Sequence, residues 1–467
     1  MIKPVFNLQG LNLRVSPFAN ANDGQMIRCL NVEDDMVGAK KKRPGYTTYL
    51  SSLGTEVKNL FNWTTNTGTQ FWNYAFAGGT LFYSQQGTGA WTVCGNGTLT
   101  ANEAKVGYVD VHGTFLMVGD GTAVTRHSTD GTSFTNTVSA PLAPQFVHYG
   151  QRVYAMGSVA FHWSTTGTPQ DWTSDSSSID VPGGGAPSTM FKVADRVTVT
   201  KTTGNIIRYD GYNVQDLATN LGPTTKFVPE VEDYKFLLNR QGVFGYGGGV
   251  PEIVSNPIER QIFNDAGSGV VGTVFDNAPG IVNRYDLLYS VGTVTDNLTD
   301  ETIADCILKY DYQLDQWSNW KFADRPTAFG TYVDASGDRQ MIFGDTTGQC
   351  YTFGGNNTTD NGDPVEVVME GVLHFNIPHI DKKFNYIWAF ANPGCEARIQ
   401  VAIGKSFTKA TKNWVSLGDF NDGIAEMRFP AGSEGKLLFW KVTEASLNAR
   451  FSLYGFVVDY DALEGRK

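Results

Sequence analysis

Residues 145–172 read QFVHYGQRVYAMGSVAFHWSTTGTPQDW. Short alternating apolar runs are separated by polar turns, and the aromatic Trp172 closes the unit. Period-2 alternation over four to eight residues is the pattern of a half-buried strand. Gly in the turns supplies the positive φ that tight connections need.

The same pattern continues on both sides. From about residue 56 to 360 seven such units can be marked, starting roughly every 40 to 50 residues, each with about four short strands. A unit of this size cannot bury both faces alone and must stack on neighbours around an axis. The sequence therefore predicts an all-β chain whose main body, residues 56–360, is a roughly seven-bladed β-propeller. The turn Ser128-Thr-Asp-Gly-Thr-Ser-Phe134 resembles an Asp-box: the Asp accepts from backbone N–H groups, Gly takes positive φ and the aromatic packs inward. Ser164–Trp172 is a longer relative of it.

GGNNTTDNGD, residues 354–363, has no apolar residue and reads as a linker. Beyond it VEVVMEGVLHF, KKFNYIWAFA, ARIQVAIG, KLLFWKV and ARFSLYGFVVDYD are longer and more apolar strand candidates. They predict a C-terminal β-sandwich over 361–467, immunoglobulin-like or jelly-roll. Residues 1–55 lack a sustained period and read as an extended docking segment. Within it Lys40, Lys41, Lys42 and Arg43 form a basic run before Pro44-Gly45. These four are candidates for contact with a phosphate or an acidic partner; the alternative is a solvated hairpin flank beside Glu33, Asp34 and Asp35.

Net charge is −11, the wrong sign for gripping nucleic acid and the right one for letting DNA slide past. The five cysteines, Cys29, Cys94, Cys306, Cys350 and Cys395, lie far apart, which argues against a disulfide framework or zinc site. MIKPVFNLQGLNLRV contains no apolar signal-peptide core, and no apolar run reaches the roughly 20 residues of a membrane helix.

Catalytic patterns are missing from the text of the chain. There is no G-x-S-x-G elbow and no P-loop, and the six histidines are scattered. Asp296, Asp300, Glu301 and Asp305 form an acidic loop that does not follow the EF-hand spacing and reads as a solvated turn. Trp163, Trp172, Trp317 and Trp320 are either sugar-stacking residues at blade ends or packing between blades; packing is expected. No enzyme activity, cofactor or metal is expected.

In order along the chain, GLNLRVSPF, KKKRPGY, VYAMGSVAFHWSTTGTPQDW, YKFLLNRQGVFGYGGGVPEIVSNPIE and ARFSLYGFVVDYDALEGRK resemble tail proteins of tailed bacteriophages. The group they are most similar to is the tail nozzle, tail-tube or head-closure hub of short-tailed phages. The resemblance implies a structural virion protein, made in the host bacterial cytoplasm and built into the tail. It implies a homo-oligomeric ring, of six copies by analogy, around the DNA exit channel, retaining DNA and permitting its ejection. Implied partners are copies of itself, other tail proteins (adaptor, fibre or spike) and double-stranded DNA passing without sequence-specific binding, with no membrane segment. The alternative is a virion propeller that binds receptor glycans as a lectin or acts on them as an enzyme.

Overall fold

A computed structural model describes the chain except residues 7, 14–24, 35–37, 69, 86–87, 101–106, 175, 219, 263–268, 272–276, 297–300, 335–336, 376–378, 405–411, 448–450 and 464–467. The helical elements among the described residues are the short turns Asn256–Ile258 and Glu259–Ile262, with Asn277 also in 3-10 conformation. No helix there is long and apolar enough to cross a membrane.

The alternating units fold as antiparallel four-stranded sheets. Residues 57–98, 107–136, 146–180, 187–218 and 230–253 each make one blade, their strands pairing in chain order. The closing blade takes three strands, Ala328–Val333, Arg339–Gly344 and Cys350–Phe353, and completes itself with Tyr46–Tyr49 from the other end of the propeller sequence. Two short strands, Thr359–Asp360 and Asp363–Pro364, extend it to six.

The chain thus has six separate blade sheets where roughly seven were expected. The difference lies at residues 280–321. Gly280–Asn283, Asp286–Asp296, Glu301–Asp311 and Gln316–Lys321 pair in order, but their ladder does not stop there. Leu30 pairs with Asn319 and Met26–Leu30 pairs onward with Val367–Leu373, so these strands belong to a 15-stranded sheet reaching into the C-terminal region.

Residues 1–55 are correspondingly not a free docking arm. Ile2–Phe6 pairs with Ser452–Ala462, Met26–Leu30 bridges the two regions, and Tyr46–Tyr49 closes the ring. In the C-terminal region the 23-residue strand Lys382–Gly404 pairs with Ser452–Ala462 along its first half and Leu437–Glu444 along its second. Among the described residues the strands from Val367 onward belong to one continuous hydrogen-bonded sheet.

The core follows this division. Each blade packs on the next through a small apolar cluster: Phe61, Tyr74 and Phe134 join the first two blades, and Phe161, Val199 and Tyr209 join the third and fourth. One large cluster runs from Leu238 of the fifth blade through Tyr289 and Trp317 to Trp440 and Phe456.

The segment RPGY, residues 43–46, ties these parts together. Arg43 is buried, forks onto Asp360 at 2.8 and 2.5 Å and lies 4.5 Å from the Phe322 ring centroid. It also donates to Asn31 Oδ1 and to the Lys321 carbonyl. Gly45 is required by space: a Cβ there would sit 1.9 Å from the Thr359 carbonyl oxygen. Tyr46, also buried, donates to Asp324 Oδ2 and accepts from the Asp324 N–H. Residues 354–363 are therefore no slack linker, because Asp360 answers the Arg43 charge inside the protein. A fully desolvated cation without such a partner would cost several kcal/mol.

Candidate functional site

The basic run turns inward. Val32–Asp34 and Lys40–Lys42 pair as two strands, which sets Lys40 opposite Asp34 and Lys41 opposite Glu33. Lys40 is buried against Asp34 and donates to Gln316 Oε1. Lys42 is buried 3.1 Å from Glu444 and donates to the Ser446 carbonyl, and Arg43 holds Asp360. Lys41, 41% exposed, lies 3.5 Å from Glu33. The candidate contact with phosphate or an outside partner is therefore corrected for Lys40, Lys42 and Arg43: their charges are spent within the fold. The flanking hairpin pairs as two strands, but of its four cations only Lys41 is solvated, and Asp35 lies outside the described residues. Lys309, 1% exposed, joins the same ionic cluster at 3.0 Å from Asp286 and 3.5 Å from Asp34.

The four tryptophans pack. Trp317 stacks on Tyr310 at 4.6 Å and donates to the Val254 carbonyl, while Trp320 donates to the Val32 carbonyl. Trp172 is buried beside Val109 and Phe146, and Trp163 stacks on Tyr209 of the following blade. In the acidic loop Asp300 lies outside the described residues, as do the side chains of Asp296 and Glu301; Asp305 faces Arg325 at 3.8 Å. Cys29, Cys94, Cys306 and Cys350 are buried, and burial pushes the Cys29, Cys94 and Cys350 thiols up to about 12. Among the described residues no group of three or more His, Cys, Asp or Glu is placed to hold a metal ion.

The Asp-box has the expected geometry. Asp130 Oδ1 accepts from the Thr132 and Ser133 N–H groups and from Ser128 Oγ. Gly131 has φ 83°, and its carbonyl accepts from Tyr74 of the preceding blade. The device recurs where no motif was marked. Asp120, Asp210, Asp311 and Asp345 each accept from backbone N–H groups two to four residues on. Burial works against Asp130, but the hydrogen bonds outweigh it and hold the carboxyl below its usual range.

What the blades build together is an axial cavity of about 790 Å³. First strands of the blades contribute to its wall, among them Asn59 and Asn62, Tyr108 and Asp110, His148, Lys192 and Thr331, with Gln145 just ahead of Phe146–Tyr149. Segment 226–235 and Gly280–Val282 complete the wall. Tyr108 has 41% of its surface accessible, yet it lines this cavity; enclosure pushes its phenol up, and its ring stacks on Phe61 at 4.1 Å. His148, on the wall, packs edge to face at 4.6 Å against His112 of the neighbouring blade. Burial, then the His112 charge, pushes His148 down. Gln145 links three sectors, accepting from the Met190 N–H and donating to the Lys226 carbonyl at 3.5 Å.

Lysines are the distinctive lining. Burial, reinforced by the neighbouring Lys58 ammonium, lowers Lys226 to about 7. Burial, reinforced by Lys192, lowers Lys235 to about 8, even though Lys235 is ion-paired with Glu230. Sequence reading missed this set. Lys58, Lys192, Lys226 and Lys235 are spread over 178 positions, and only closure of the ring brings them together.

No family model matches the sequence, and no curated protein matches it. Among solved structures the chain is similar to YCF48 bound to D1 peptide, at 10% identity over 68% of this chain and 99% of that one, with a TM-score of 0.42. It is similar to the Cps50 (Swd1) β-propeller domain of Myceliophteria thermophila at 8% identity, 66% and 99% coverage and a TM-score of 0.42. The N-terminal domain of Nup159 matches at 9% identity, 70% and 98% coverage and a TM-score of 0.41. The propeller class rests on the strand pairing of this chain, not on these similarities.

Proposed function

We propose that the chain is a non-enzymatic assembly protein, a structural component of a tailed-phage tail that works by docking to copies of itself. One observation carries the proposal. The outer face of the C-terminal sheet sets Ile2, Pro4 and Phe6 beside Tyr386, Trp388, Phe390 and Ile424, in register across four strands. Ile2, Phe6 and Ile424 are 70, 50 and 64% exposed. Contiguous exposed apolar surface of this kind marks an interaction site. Pro4 within Ile2–Phe6 blunts the open edge, so the face rather than the edge is what docks. The same rows carry Asp459 between Ile2 and Tyr386, Glu426 beside Trp388 and Arg428 beside Tyr386, with Lys383 opposite Asp461, a mix of signs that suits a second copy of the same surface better than a partner of one charge sign.

The net negative charge supports a ring that lets DNA pass without adhering. Six copies, the tail position and the role in retaining and releasing DNA come from the family resemblance. In this reading residues 280–321 act as a seventh blade shared with the C-terminal sheet, because Gly280–Val282 reach the axial cavity as the other first strands do. The change of partner midway along Lys382–Gly404, with an irregular register between Phe390 and Ala397, supports a two-layer C-terminal sandwich.

Sedimentation velocity tests the docking. The wild-type chain is expected to associate at ~10 μM, and Phe6→Ser with Ile424→Glu to weaken association at least ~10-fold. A chain that stays monomeric at ~100 μM, and that is missing from the particle by cryo-electron microscopy, overturns the reading.

A further inference from the structure

We infer that the seam between the second and third blades is an acid-sensitive joint in the ring, tight at neutral pH and loosening as pH falls from about 7 to about 5. Four of the six histidines, His112, His127, His148 and His162, belong to these two blades, and no other blade contains one. The core of the seam sets Phe115 and Met117 of the second blade against Phe146 and Ala155 of the third. His127 stands directly opposite Met117 in its sheet and stacks on Phe115 at 4.7 Å, so its ring is on the face turned to the third blade. In the third blade His162 stands opposite Ala155, and His148 follows Phe146 by two residues on one strand, so both are on the face turned to the second. His148 meets the ring of His112, which sits in the turn between Gly107–Val111 and Phe115–Gly119. The set runs from the axial cavity, which His148 lines, out to the third strand of each blade.

An imidazolium on this seam is poorly compensated. Burial lowers His127, His148 and His162 below the ordinary histidine value, and at His148 the His112 charge adds to the effect. Around His148, Asp110 favours protonation and Lys192 opposes it. Asp110 already accepts from the Trp63 indole N–H at 3.0 Å and the Gly113 N–H at 2.7 Å. His127 Nδ1 lies 2.8 Å from Thr137 Oγ1, a neutral partner. Arg126 and Arg152 point to the opposite faces of their sheets and donate to the Asn96 and Ser164 carbonyls. Asp180, opposite Ala160 on the outermost strand of the third blade, is exposed. With folded values below the ordinary one of about 6.5, the three histidines bind more protons once the seam opens. Their stabilisation is complete above about pH 6.5 and is lost as pH falls through that value towards the lowered ones. Acid thus places several cations in an apolar seam, with His112 and His148 repelling each other across it.

Amide hydrogen exchange of the full chain, read by mass spectrometry at about pH 7.5 and about pH 5.5 and corrected for the intrinsic pH dependence, tests the joint. Peptides from 107–119 and 146–163 should lose protection ~10-fold or more at the lower pH, since each lowered histidine contributes up to ~10-fold per pH unit. Peptides from 187–209 and 328–344, which hold no histidine, should change by less than ~3-fold. His127→Gln combined with His148→Gln and His162→Gln should bring the two seam segments down to that same small change. A second readout needs no variant: exchange of the imidazole C2 proton in the wild-type chain titrates each ring, and His127, His148 and His162 should all fall below about 6.5. Equal loosening in every blade, an unchanged pH response in the triple variant, or these rings titrating at or above about 6.5 overturns the proposal. None of these outcomes depends on whether the chain self-associates.

Discussion

The propeller and the C-terminal sheet are built from the same kind of alternating strand but held together in opposite ways. Blade strands are short, and each blade closes its own ladder; neighbours meet mainly through side chains such as Phe161 against Tyr209, with a few backbone hydrogen bonds such as Gly95 N–H to the Thr132 carbonyl between the first two blades. The longest C-terminal strands, Lys382–Gly404, Val415–Arg428 and Ser452–Ala462, run 11 to 23 residues, and the backbone ladder they belong to crosses into residues 280–321 through Met26–Leu30. Side-chain clusters between blades can loosen one at a time, whereas a shared ladder transmits a local loss. The lesson is that sequence repeats mark units of packing, and hydrogen-bond continuity marks units of cooperativity.

The harshest way to break this comparison is to cut the tie between the two regions. Arg43→Met strands Asp360 in the interior and should cost ~3–5 kcal/mol, measured by urea unfolding. It should also split a single transition into two, seen as non-coincident tryptophan fluorescence and circular dichroism. A matched pair of core deletions comes next. Phe161→Ala and Phe456→Ala each remove a fully buried ring and should cost ~3–4 kcal/mol. Hydrogen exchange should then speed up only in the third and fourth blades for Phe161→Ala, but across both regions for Phe456→Ala. Equal spread in the two variants would erase the distinction drawn above.

Smaller effects sharpen it. Asp130→Asn weakens one turn and should cost ~1 kcal/mol. The folded-state carboxyl is held below its ordinary value, so its stabilisation is complete above about pH 4 and lost as pH falls through the depressed value. Asp171, lowered to about 2 by its bonds from Thr173 and Ser174, behaves alike, with its window between about pH 4 and about 2. Acid should therefore loosen blade turns, and Asp130→Asn should flatten that dependence in its own blade by hydrogen exchange. Smallest of all, Arg398→Ala removes a bidentate pair with Asp419 on the open surface and should leave the unfolding midpoint unchanged.

Much of the fold is legible because its signals are local. Alternation, turn glycines and the Ser128–Phe134 box depend on neighbours within a few residues, so text and structure agree there. The basic run was misread because its composition is that of a surface. The acids that bury Arg43 and Lys42 lie at Asp360 and Glu444, over 300 positions away. The packing of Trp317 and Trp320 was legible, since an aromatic closing a blade unit has the next sheet to pack on.

By itself the sequence determined the strand period, the turn chemistry and hence an all-β ring with a more apolar C-terminal region, because these follow from interactions over short stretches of chain. Only the tertiary structure decided that the N-terminal segment closes the ring, that residues 280–321 share a ladder with the C-terminal sheet, and that Lys192, Lys226 and Lys235 line one cavity. Those outcomes depend on which distant edges and charges meet when the ring closes, and spacing along a single chain carries no information about that.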